Sequence, residues 1–220
     1  MSGPVLVVNP NANPAVTAGI SRALDPFRLP GAPEFEAVTL EGGPFTIESA
    51  ADGAAAIAPL LRLVAARADA AAVVIACYSD PGLDACRERF AGPVLGIGEC
   101  GALAALARAD LFGVIALSDA AIARHRPALR RAGLSGRLAG ERAAALGVAE
   151  SQAPEAFPAL AAAGRALLAD GAGAVVLGCA GMARHRAGLE KALGVPVIDP
   201  VQAAAAMALG ALLTNQGRTP

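Results

Sequence analysis

Ala72-Val73-Val74-Ile75-Ala76-Cys77-Tyr78-Ser79-Asp80-Pro81-Gly82-Leu83 is the stretch on which the fold turns. Its first half is an unbroken apolar run, rich in β-branched residues and closed by a polar turn. A parallel strand reads this way when helices cover both of its faces. A second stretch repeats the pattern: Ala172-Gly173-Ala174-Val175-Val176-Leu177-Gly178-Cys179-Ala180-Gly181-Met182. Each predicted strand delivers a cysteine. Open parallel sheets bind ligands just past the carboxyl ends of their strands, so Cys77 and Cys179 fall where chemistry is expected.

Outward from these two strands the chain alternates strands and helices. Val5-Leu6-Val7-Val8 reads as the first strand and stops at Asn9-Pro10-Asn11-Ala12-Asn13-Pro14, where Pro14 suits a first helical turn. A strand is expected near Phe35 to Thr39, then a loop through Gly43-Pro44-Phe45-Thr46-Ile47-Glu48-Ser49, with Ser49 capping a helix from Ala50 to Ala66. Strands around Val94, Val114 and Val197 and helices after each complete the pattern, while Gly136 to Gly140 carries no clear period. Elements recur at an offset of about a hundred residues, the mark of a duplicated unit: Asn9 with Ser118, Cys77 with Cys179, and Pro93-Val94 with Pro196-Val197. The expected fold is α/β, with two pseudo-symmetric parallel α/β lobes facing each other across a cleft. Residues 1–97 with 205–220 form the lobe carrying Cys77, and 98–204 the lobe carrying Cys179. A tight hinge is expected near Gly98 to Gly101, with the C-terminal helix returning to the first lobe.

Composition narrows the chemistry. The 220 residues are 55% hydrophobic and 17% charged, enough to bury a large core. A net charge of -1, no Trp and one Tyr exclude the basic, aromatic-bearing surface of a nucleic-acid binder. The start lacks the basic head and cleavage site of a secretory signal, and the longest apolar tract, Val201 to Leu213, is too short to span a bilayer. A cytoplasmic protein with no membrane partner is expected, its four cysteines reduced. No zinc-ligand spacing, phosphate loop or dinucleotide fingerprint occurs, so no metal and no cofactor are expected. Cys86 and Cys100 read as core residues, and His125 and His185, each beside arginines, as solvated helix faces.

The motifs Asn9-Pro10-Asn11, Gly43 to Ser49, Cys77 to Leu83, Gly178-Cys179-Ala180-Gly181-Met182 and Pro196-Val197-Ile198-Asp199-Pro200 resemble those of the aspartate/glutamate/hydantoin racemase superfamily, within it the hydantoin and allantoin racemases. Ala180 and Gly181 stand where glutamate and aspartate racemases carry Thr and then His or Glu, which turns the substrate away from free acidic amino acids. The resemblance implies a two-lobed, cofactor-independent isomerase, a homo-oligomer acting on a small cyclic ureide such as a 5-substituted hydantoin or allantoin. It also implies that Cys77 and Cys179 act as a pair of bases. The chemistry agrees, because inverting a carbon acid requires removing a proton from one face and delivering one to the other. A helix N-terminus beside each sulfur is expected to lower its pKa below the free value of about 8.5. Asn9, Ser79, Ser118 and the amides of Ala180, Gly181 and Met182 are candidates to hold the substrate's carbonyl oxygens, and Phe45, Ile47 and Tyr78 to line a wall. Maleate-isomerase-like and arylmalonate-decarboxylase-like enzymes are alternatives in the superfamily. A non-catalytic two-lobed binding protein is the alternative of another class.

Overall fold

The computed structural model describes residues 3–214. Two four-stranded parallel sheets lie within them. The first is ordered β2-β1-β3-β4, built from Val5–Asn9 (β1), Phe35–Thr39 (β2), Ala72–Ile75 (β3) and Val94–Gly96 (β4). The second repeats that order as β6-β5-β7-β8, from Phe112–Ala116 (β5), Leu138–Ala143 (β6), Ala174–Leu177 (β7) and Val197–Ile198 (β8). The apolar runs are continuous because both faces are covered. Along β1 and β3, Val5, Val7 and Val74 face the core shared with the second lobe, while Leu6, Val8, Val73 and Ile75 face α2 (Ala50–Ala66) and α3 (Leu83–Arg89). All seven side chains are fully buried, and each contributes about 1.5–3 kcal/mol by leaving water.

The helices between lobes are exchanged. α4 (Ile97–Leu106) follows a strand of the first sheet but packs on β7 and β8 of the second, whereas α8 (Pro200–Thr214) follows the second sheet and packs on β3 and β4 of the first. Residues 215–220, assigned above to the first lobe, lie outside the described residues. The segment expected as a hinge, Gly98 to Gly101, is instead helical: it lies in α4, where both glycines are buried. A Cβ at Gly98 would sit 2.2 Å from the Tyr78 carbonyl oxygen, and one at Gly101 would press on Val176 and Pro200. The glycines permit this close approach of the backbone.

Strand register corrects one internal equivalence. Val5 pairs with Ala72 and Phe112 with Ala174, so Asn9 corresponds to Ala116, and Ser118 corresponds to Asn11. β6 is the strand without a legible period. It is an edge strand of half-buried small and charged residues, so neither alternation nor a β-branched run marks it. Among the described residues no helix is long and apolar enough to cross a membrane.

Candidate active site

Cys77 stands two residues beyond the end of β3 and Cys179 two beyond the end of β7. The Ala76 amide still bonds to Val8 O and that of Gly178 to Ile115 O, so each strand carries its cysteine to the sheet edge before the chain turns. Both thiols are free and half-buried, and both line one cavity of about 40 Å³ between the lobes. The turn after Cys77 is pinned by Asp80, held at φ 47°, whose carboxylate accepts the Gly98 and Glu99 amides at 2.9 Å each. It thereby caps α4, whose own N-cap is Gly96. Burial nonetheless pushes the Asp80 carboxyl up to about 7.

Burial also dominates the sulfurs. It pushes the Cys77 thiol up, opposed by the Ser79 hydroxyl at 3.4 Å from Sγ, by the Ser79 amide and by the Arg124 charge. The Cys179 thiol rises to about 11, opposed by the Gly181 amide, Ser151 and Arg124. The two sites are alike in using the amide two residues on. The lowering expected from helix N-termini does not prevail, because α3 begins only at Leu83 and Cys179 precedes a short 3-10 turn, Ala180–His185.

Ile47, Tyr78, Ser79 and Ala180 line the cavity with the thiols. Five other expected site residues are not among its lining. Asn9 is fully buried and spent within its own loop, its amide donating to Asn11 Oδ1, Asn13 O and Thr17 Oγ1. Ser118 is the N-cap of α5 (Asp119–Arg131), accepting the Ala121 amide at 3.2 Å. Phe45 is 66% exposed, and Met182 is a fully buried core side chain. Gly181 is not in the cavity lining; its amide serves Cys179, and a Cβ there would lie 3.1 Å from Ser151 Oγ and 3.7 Å from Cys179 Sγ. Cys86 and Cys100 are packed in the core.

Three polar residues of the cavity wall stand outside the set expected from sequence: Asn11, Arg124 and His125. Asn11 uses its side-chain oxygen on Asn9 and on the Asn13 amide, which leaves its NH2 group as the free end. Arg124 donates through Nη1 to the Glu48 carbonyl, while its Nε is buried without a partner. The Val148 amide reaches Glu48 Oε1 at 3.4 Å, so the loop carrying Ile47 is strapped to the second lobe at both ends of one residue. His125 is not solvated; it is buried, with Nδ1 2.8 Å from Glu141 Oε2. His185 is also buried, against the Ser151 carbonyl, and burial lowers its pKa. Ala121, His125 and Leu129, four residues apart, form the buried stripe of α5, a period that marks His125 as inward-facing.

The family described as Asp/Glu/Hydantoin racemase matches residues 5–208. The chain is 37% identical to a hydantoin racemase of Paenarthrobacter aurescens, over 93% of this chain and 89% of that protein. Its fold superposes on an allantoin racemase from Klebsiella pneumoniae with a TM-score of 0.91 and 34% identity, covering 97% of this chain and 89% of the other. An arylmalonate decarboxylase is similar at a TM-score of 0.66 and 20% identity, covering 98% and 94%, a likeness of fold alone.

Proposed function

The chain belongs to the Asp/Glu/hydantoin racemase family, and from that premise we propose a cofactor-independent racemase of a five-membered cyclic ureide, a 5-substituted hydantoin or allantoin. Each lobe, 1–97 with 205–220 and 98–204, supplies one base. The observation that carries this reading is the opening of both thiols, one from each lobe, on a single cavity. As a thiolate, one sulfur takes the proton from the ring carbon that bears the substituent, leaving an enolate whose charge rests on the adjacent carbonyl oxygen. The other, as a thiol, gives its proton to the opposite face of that carbon, and the pair is left with its protonation states exchanged. Arg124 and the Asn11 amide face the same cavity and supply donors for the oxyanion. An arylmalonate-decarboxylase-like reaction has only likeness of fold in its favour.

Loss of the α-proton signal tests the reading. In deuterated water the protein should wash the ring-carbon proton out of a single enantiomer of a 5-substituted hydantoin while optical rotation decays to zero. Binding without exchange would make the protein a receptor instead.

The pH profile follows from the buried sulfurs. Catalysis needs one thiolate and one thiol, and burial raises both pKa values, Cys179 to about 11. Thiolate is therefore scarce at neutral pH and gains about tenfold per pH unit below the first pKa of the pair. We expect kcat/KM to be still rising above pH 8.5, the free-cysteine value. A plateau already reached below about pH 7.5 would mean that substrate-free sulfur is held as thiolate, contrary to the burial argument.

A further inference from the structure

The thiol cavity is small. Its 40 Å³ corresponds to about three buried waters at the space each needs, which a ureide ring fills before its 5-substituent is counted. A larger cavity of about 150 Å³ lies directly behind it, between α3, the start of α4 and α5. Leu83, Ala128, Leu129 and Ala132 give it apolar walls, and Asp80, Asp84, Arg87, Glu99 and Arg131 bring charges of both signs to the rest of its lining. The side chains that face both cavities are Tyr78 and His125.

These two rings form the partition, meeting edge to face with centroids 4.7 Å apart at 66°. They are held differently. His125 is fixed from behind by Glu141, both side chains being 3% exposed or less. The Tyr78 hydroxyl is buried without a hydrogen-bond partner, so only packing holds that ring in place. Burying an unpaired hydroxyl is unfavourable, and a leucine would fill the same apolar surroundings without it.

Resting on the racemase reading above, we infer that Tyr78 sets the size limit of the substrate: the protein acts on hydantoins with a short 5-substituent, and Tyr78 keeps shut a latent apolar subsite for branched or aryl groups. Allantoin, whose ureido substituent is longer than a methyl, falls on the disfavoured side. One contact of this kind discriminates by about 10- to 200-fold per methylene.

The test compares kcat/KM for racemisation of 5-methylhydantoin and 5-benzylhydantoin. The parent should favour the methyl compound by at least about tenfold, and Tyr78→Phe should keep that ratio because the ring remains. Tyr78→Ala and the more conservatively packed Tyr78→Leu should each raise the benzyl-to-methyl ratio by at least about tenfold. Adding Ala128→Phe to either, which plugs the rear cavity from the α5 surface, should cancel the gain. The inference is overturned if the parent turns over both compounds equally, if both Tyr78 variants lose both activities in proportion, or if Ile47→Ala gives the gain and they do not. If the parent racemises neither compound yet binds them, it is the functional reading that falls.

Discussion

Cys77→Ser and Cys179→Ser should each abolish racemisation while leaving proton exchange intact on opposite enantiomers. A serine hydroxyl does not ionise in the accessible pH range, and loss of a positioned acid or base costs about 10² to 10⁴ in rate, so net inversion should fall by about 10³-fold or more. Racemisation has an equilibrium constant of one, so each variant must slow both directions of net conversion alike. Exchange is free of that constraint. With Cys179 replaced, the Cys77 sulfur still removes the proton from the enantiomer that presents it to the first lobe and returns a solvent deuteron to the same face. With Cys77 replaced, the other enantiomer is labelled. Both thiols line one cavity from opposite lobes, which is the arrangement this outcome requires. Labelling of the same enantiomer by both variants, or near-parent racemisation by either, would eliminate the two-thiol route.

The parallel strands and the thiols at their ends were legible because the signal is local. β1, β3, β5 and β7 are short apolar runs whose two faces are both covered, and a strand's carboxyl end is a ligand position whatever the partner lobe looks like. What was hidden depends on contacts distant in sequence. Leu138-Ala139-Gly140-Glu141-Arg142-Ala143 carries no strand period, and its Glu141 is buried because His125 meets it there. Asn9 and Asn11 are equivalent as residue types, and only the hydrogen-bond accounting of the loop shows that Asn9 is consumed while Asn11 keeps a free amide facing the cleft. Phe45 and Ile47 sit two residues apart in one loop, yet the first points to solvent and the second into the cavity. The sulfur pKa values went the other way for a similar reason: helical starts after each cysteine are visible in sequence, but the burial that raises both thiols exists only in the folded chain.

Arg124→Ala is the other replacement expected to have a large effect, although nothing in its residue type separates it from the other arginines in the basic run of α5. Its guanidinium acts to lower the pKa of both sulfurs, against the larger effect of burial, and it lines the cavity they share. Two losses should appear together. Removing a donor aimed at a developing oxyanion costs about 10² to 10³ in kcat, or about 2.7–4 kcal/mol. Removing the cation also disfavours thiolate, so the rising limb of the pH profile should move to higher pH. Arg124→Lys separates the two, since it keeps the charge but loses the planar fork of donors. It should hold the limb near its parent position while recovering only part of kcat. The strap from Arg124 to the Glu48 carbonyl offers a different role, in which the side chain merely closes the Ile47 loop over the cleft. In that case KM would rise with kcat and the pH limb unchanged, and the arginine would belong to the loop and not to the reaction.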